Sequence, residues 1–392
     1  MEKKKVVITA SSKLNSRWFN YFCLKELNDV YDLEYWDCSE FTYPRFDTMY
    51  EIPADFLVKL KTKRDFLKHL KQLPPNTLLI TDIHRNAWNV GVHKLQAKYL
   101  KNLIYIDFYT NTVSRLKGEQ RADRREKLKN ACIFLYYLEF IIFWTIRPKE
   151  FLERLFFVIS THFYSNNVRI SCKVGSEYQI NHPDFDMFLK IKDKERIINE
   201  RYVLYIDDFF PYHPEIKRFE SSLIIEDLAI PFFNSMNKFF KNVEKEYNCK
   251  VVIAAHPSAK YTQNPFEGRD VYYGKTAELV KDCEAVCLHA SNALSFVALF
   301  NKPAANLHND SFRKSKRLWS MTQISAELLG IPLVDTDNSD AIDVFSQADE
   351  IKRKKYVTKY FGNINKKQHL NSELLVSHLN RIWDMWYGSS IR

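Results

Sequence analysis

The chain has 392 residues, enough for two or three domains of ordinary size. It is 46% hydrophobic and 27% charged, which excludes global disorder, and its 8 glycines form no Walker loop and no glycine-rich dinucleotide fingerprint. The formal charge of +10 suits anionic partners and equally suits a plain solvated surface. No arginine-glycine tract, zinc knuckle or aromatic RNA-binding motif supports nucleic acid.

The chain runs from Met1-Glu2-Lys3-Lys4-Lys5 straight into the apolar run Val6-Val7-Ile8-Thr9-Ala10, with no signal-type stretch before it. Its seven cysteines (23, 38, 132, 172, 249, 283 and 287) are scattered and odd in number. They read as buried thiols in a reducing compartment, and the cytoplasm is the expected location. Cys283 and Cys287 have no partners at zinc-site spacing, so no metal is expected there. Strands are predicted at 5–10, 33–36, 77–81, 103–106 and 169–174, with an amphipathic, lysine-rich segment at 56–73. Such alternation predicts a parallel sheet with helices on both faces.

Residues 128–160 are different. Aromatic and aliphatic runs follow one another there, broken by Glu139 and by Arg147-Pro148-Lys149. The uninterrupted stretch falls short of the ~20 apolar residues of a membrane span. A basic segment, Arg121 to Lys127, lies just upstream. Two readings fit: a buried helix pair, or a peripheral membrane-binding surface on the inner leaflet.

A charged stretch at 191–201 is the expected linker. The expected domains are 1–195, 202–375 and a helical tail at 376–392. In the second half, strands are predicted at 202–206, 250–255, 271–273, 285–288, 303–307 and 331–334. Helices are predicted at 222–247 (interrupted near Pro231), 276–281, 291–300, 341–360 and 367–386.

Two apolar runs stop abruptly at polar residues. Residues 251–255 end in His256-Pro257-Ser258-Ala259-Lys260, and residues 285–288 end in His289-Ala290-Ser291-Asn292, with Ser295 one helical turn on. Parallel strands with such carboxyl ends build a polar crevice, the place where open α/β sheets bind ligands. A histidine donor, serine hydroxyls and a helix N-terminus together suit a nucleotide phosphate. His256 can also be a structural histidine, and Ser291 can simply cap the helix that follows.

His256-Pro257 resembles the His-Pro motif of bacterial sialyltransferases, polysialyltransferases and related capsule enzymes of the GT-B glycosyltransferase class. Ser291-Asn292, with Ser295, resembles their later serine motif, and Asn301-Lys302-Pro303-Ala304 resembles a turn common in surface-polysaccharide transferases. The resemblance covers residues 202–307 and leaves the N-terminal half unmatched. It implies two Rossmann-like, doubly wound α/β domains facing across a cleft, with the nucleotide-sugar donor held by the C-terminal one. It also implies a CMP-linked donor carrying a nonulosonic acid or Kdo-type sugar, a surface-glycan acceptor, and no bound metal or other cofactor. His256, Pro257, Ser258, Lys260, Ser291, Asn292 and Ser295 would line the nucleotide site.

An inverting transfer needs a base for the acceptor hydroxyl. Four carboxylates end predicted strands: Asp82 and Asp107 in the first half, Asp207 and Asp208 in the second. His84 is a spare, and His213-Pro214 is a second His-Pro pair ranked below the first. The sialyltransferase group carries its acidic pair in the N-terminal half, before a glycine; here Asp207-Asp208 precedes Phe209 and opens the second half. Two other readings stay open. One is a transferase of UDP-sugars, GDP-sugars or polyol phosphates, and the other a membrane-associated scaffold of capsule assembly.

Overall fold

A computed structural model describes residues 3–42, 51–83, 89–100, 102–108, 112, 166–214, 216, 220, 222–338, 343–366 and 369–388. The aromatic segment 128–160, the basic segment before it, and His84 lie outside the described residues. The chain is an α/β protein with two parallel sheets and divides into two compact units. Among the described residues, the first unit takes 3–108, 166–181 and 369–388, and the second takes Thr112 and 182–366.

The first unit holds a seven-stranded sheet in the order β3-β2-β1-β4-β5-β6-β7. The strands are β1 Lys5–Ala10, β2 Asp32–Asp37, β3 Leu57–Lys59, β4 Leu78–Thr81, β5 Asn102–Asp107, β6 Asn166–Ser171 and β7 Tyr178–Gln179. Every pairing is parallel. Winding reverses between β1 and β4, which makes their carboxyl ends the switch point. Val6 and Ile8 bury one face of β1 and Val7 the other, as a sheet covered on both sides requires.

The expected segment 56–73 divides in two. Residues 57–59 pair with β2, and the helix Lys63–Gln72 starts at a capping box, where Thr62 and Asp65 satisfy each other's backbone N–H groups. The strand expected at 169–174 instead runs from Asn166 to Ser171, in register with β5 from Asn102 onward, and the chain then turns through Gly175 (φ 83°). The C-terminal helix Asn371–Tyr387 belongs to this unit. It buries Leu375, Leu379, Ile382 and Trp383 in the core that contains Val6 and Ile8. At its start the Asn371 amide accepts the Asn181 N–H at 2.7 Å and donates to the Asn181 carbonyl at 3.0 Å.

The second unit holds a six-stranded parallel sheet, β10-β9-β8-β11-β12-β13. The strands are β8 Tyr202–Ile206, β9 Lys250–Ala255, β10 Val271–Tyr273, β11 Ala285–Leu288, β12 Ala304–His308 and β13 Leu333–Asp335. Its switch point lies between β8 and β11. The chain enters this unit at residue 182, earlier than the expected linker, because the helix Pro183–Ile191 buries Phe185 and Ile191 against this sheet. The charged residues after it form an exposed turn within the unit.

Three helices differ from expectation. Ile225–Tyr247 runs unbroken through Pro231, whose ring faces solvent near the helix start while Leu228, Phe232, Met236, Phe239 and Val243 keep one continuous buried stripe. Leu294–Phe300 starts three residues after Ser291. Glu350–Phe361 starts only at its Asp349 cap, since Ser346 is held in a bridge to Ala304.

Leu379 is fully buried and Met385 is 54% exposed on the same helix. Leu379→Ala is expected to lower stability by ~2–5 kcal/mol, as for other buried leucines. Met385→Ala should stay within ~0.5 kcal/mol. Urea unfolding curves of the two variants check this.

Candidate functional site

The carboxyl ends of β9, β8 and β11 lie side by side in the second unit, and each ends in chemistry-bearing residues. β8 continues into Asp207-Asp208, β9 into His256-Pro257-Ser258, and β11 into His289-Ala290-Ser291. His256 and Ser291 therefore flank the central strand rather than sit on neighbouring strands, and the acidic pair occupies the place between them.

Asp207 is sealed, at 2% exposure. Its carboxylate accepts the Phe209 N–H at 2.8 Å, the His256 N–H at 3.3 Å and the Tyr261 hydroxyl at 2.9 Å. Burial pushes its pKa up to about 6, against the pull of those three donors. Asp208 is half-buried and accepts the Ala290 N–H at 3.0 Å. Burial, reinforced by the neighbouring Asp207 charge, pushes it up to about 7. Of the pair, Asp208 keeps solvent access, and its proton sits at a pH where it can be both given and taken.

His256 Nδ1 accepts the Ser258 N–H at 3.1 Å. That bond puts the proton of the neutral ring on Nε2, making Nε2 a donor. The ring meets His213 edge-to-face, with centroids 4.9 Å apart. Two of the chain's three His-Pro pairs, those at His213 and His256, thus share one place, while the third, His182-Pro183, starts the helix Pro183–Ile191. Phe209 carries the chain toward His213 with a left-handed backbone (φ 56°), a costly conformation for a bulky residue. Pro257 and Lys260 are exposed on the turn after β9, and the Ala259 N–H closes that turn on the His256 carbonyl at 2.8 Å.

On the other side, Ser291 is not a helix cap. Its Oγ accepts the Ala293 N–H at 3.3 Å in a short turn, and Asn292 is exposed beside it. Ser295 is fully buried and donates to Asp184 at 2.7 Å, so its hydroxyl is committed to the helix Pro183–Ile191. His289 is fully buried, and burial holds it down to about 3, hence neutral. Its Nδ1–H donates to the Leu307 carbonyl at 2.6 Å, and its own carbonyl accepts from Asn306 at 2.7 Å. These bonds clamp the end of β11 to β12.

Asp335 and Asp337, one of two Asp-x-Asp spacings (the other is Asp184 and Asp186), are bonded to their own turn and to the helix Asp310–Arg313. Asp335 accepts from Arg313, Asn338 and the Asp337 N–H, and Asp337 accepts the Asp310 N–H. Among the described residues no group of His, Cys, Asp and Glu could hold a metal ion, and none of the six described cysteines is in a disulfide with another. Among them also, no helix is long and apolar enough to cross a membrane.

The other two candidate carboxylates belong to the first unit. Asp82 follows β4 at that unit's switch point, where its N–H donates to the Thr9 carbonyl at 2.9 Å. Asp107 ends β5, one strand further out, and pairs with Arg169 at 3.4 Å. Tyr261 and the His213 contact are not readable from local pattern. The only sequence signal was the repeated His-Pro.

No family model matches the chain, and no curated protein matches it. Among solved structures it is similar to the spinosyn forosaminyltransferase SpnP, at 14% identity and a TM-score of 0.42 over 97% of this chain and 99% of that one. It is similar to a UDP-N-acetylglucosamine 2-epimerase from Rickettsia bellii, at 11% and 0.42 over 98% and 99%. It is also similar to a variant of the wall teichoic acid polymerase TagF, at 10% and 0.44 over 97% and 90%. Likeness at this level says nothing of donor or acceptor.

Both acidic groups at β8 sit above their ordinary value, so from roughly pH 4 to 7 these two sites hold more protons folded than unfolded, and their contribution to stability falls as pH rises, whereas His289, held down to about 3, contributes the opposite slope. Asp208→Asn keeps an acceptor for Ala290 and removes the buried charge. It is expected to melt above the parent at pH 8, by ~1–3 kcal/mol after discounting for solvent, and to match it near pH 4. Melts across that range check the sign.

Proposed function

We propose that the chain is a glycosyltransferase of the GT-B class, with a nucleotide-sugar donor bound at the carboxyl ends of β8, β9 and β11. One observation carries the reading: His256, with its proton directed to Nε2, stands with His213 beside the Asp207-Asp208 pair at a sheet switch point. Imidazole donors suit a phosphate, and an acid–base carboxyl with a pKa about 7 suits proton transfer.

The donor is a CMP-sugar in this reading. Its single phosphate needs few donors, and His256, His213, Ser258 and Lys260 on one side, with Ser291 and Asn292 on the other, supply them without a metal. The acceptor oxygen forms a bond to the anomeric carbon as the bond to phosphate breaks. CMP leaves with the bonding pair, stabilised by the histidines. The acceptor proton goes to Asp208. Asp207 positions the His256 turn.

Thermal shifts with CMP, UDP, GDP and CDP test the donor, since a nucleotide at 100 times its Kd adds ~2.7 kcal/mol. CMP should give the largest shift. His256→Ala should weaken its binding by ~1.5–3 kcal/mol, the range for hydrogen bonds to charged groups. A larger shift with another nucleotide moves the assignment to that donor. In transfer assays with EDTA present, Asp208→Asn should lose ~10²–10⁴-fold in rate, more than the Asp82, Asp107 or Asp207 variants. Activity abolished by EDTA, or a fully active Asp208→Asn, refutes this mechanism.

A further inference from the structure

We propose that the outer face of the helix Ile225–Tyr247 is a docking surface for a second copy of this chain, packed on it antiparallel about a two-fold axis. The helix turns Leu228, Phe232, Met236, Phe239 and Val243 to the core, and its opposite face is exposed. The inference rests on the surface of the second unit and stands whatever that unit binds or transfers.

Two features of that face do nothing for the core. Pro231 stands in the helix interior, where proline forfeits a backbone hydrogen bond and crowds the preceding turn, yet its ring is exposed. Ile230 beside it is 69% exposed, and Ile224 at the helix start is 60% exposed. Single apolar residues scattered on a surface are ordinary. Three on one side of one helix invite a partner.

The charges select that partner. Exposed positions 224, 227, 231, 234, 238 and 241 follow the alternating three- and four-residue spacing of a helix–helix seam. Along it stand Ile224, Asp227, Pro231, Asn234, Lys238 and Lys241, with the acid in the first half and the bases in the second. Among the described residues neither Asp227 nor Lys238 has an ion pair within its own chain, whereas Lys241 pairs with Glu267 at 2.9 Å. Two copies packed in parallel would set Asp227 against Asp227 and Lys238 against Lys238. Packed antiparallel, with the axis between Pro231 and Asn234, each Pro231 meets Asn234 of the other copy and each Asp227 meets Lys238. One register serves the whole seam, because 231 and 234, 227 and 238, and 224 and 241 are all centred on the same point. Ile224 then lies along the aliphatic stem of Lys241. A patch complementary to itself in this way closes at two copies.

Sedimentation velocity of the full chain, from micromolar concentration to the solubility limit, tests this. The parent should show a monomer–dimer equilibrium that weakens in high salt, since exposed ion pairs contribute to it. Ile230→Asp should keep the parent's circular dichroism, because it replaces an exposed residue, and should sediment as a monomer. Asp227→Lys should weaken the dimer by about tenfold or more, through two like-charge contacts. Adding Lys238→Asp to it should restore the dimer. That second substitution cannot repair a disturbed first turn of the helix, so recovery reports the contact between copies. A parent that stays monomeric, an Ile230→Asp variant that dimerises like the parent, or a double variant as weak as Asp227→Lys alone each overturns the proposal.

Discussion

The second unit turns on one buried carboxylate. Asp207 sits where β8 ends, out of water, and three donors converge on it from its own turn, from β9 and from Tyr261. A charge in such a place is costly, and the donors offset only part of that cost. What is gained is position. The first N–H beyond β9 is tied to the first residue beyond β8, so the His256 turn cannot drift from the central strand. The next residue does the same on the other side, where Asp208 holds the Ala290 N–H beyond β11. Two consecutive side chains thus hold both neighbouring strand ends.

The same carboxylate also sets the start of the following loop. Phe209 is held in a left-handed conformation that costs ~1–3 kcal/mol for such a residue. Its N–H is taken by Asp207 and its ring packs edge-on against Tyr261, at 5.4 Å. Phe210 then buries between Phe232 and Phe312, and the chain emerges with His213 against His256. A strained turn, a buried acid and two adjacent imidazoles form one connected arrangement. The strained turn and the buried acid each cost stability, which is common where geometry serves a ligand rather than the fold.

The two sheets wind alike yet end in different chemistry. In the second unit the strand ends carry titratable groups, with pKa values displaced by burial. At the switch point of the first they carry the hydroxyls of Ser11 and Ser12, with the Gln96 amide reaching in from a helix and Asp82 following β4. Doubly wound sheets leave the same place open in every case, and the residues placed there decide what can bind.

Much of this was legible in the chain. Runs such as Val251–Ala255 and Leu78–Ile80 are apolar without alternation, which already requires a parallel sheet covered on both faces, and their abrupt polar ends marked His256, Ser291 and Asp82. Local pattern could not supply contacts between distant segments. It missed that Ser346 would bridge to Ala304, so a helix was expected where 343–349 is extended or turned. It missed that Pro183–Ile191 packs against the second sheet, so the change of unit was expected too late. Ser291 and Ser295 looked equivalent, and only packing separates a half-buried turn residue from a hydroxyl committed to Asp184. Periodicity records which faces avoid water, and that determines strands, helices and fold class from sequence alone. Which strand ends become neighbours, which imidazoles meet and which carboxylate keeps its proton depend on burial and on partners remote in sequence, and these exist only once the sheet has formed.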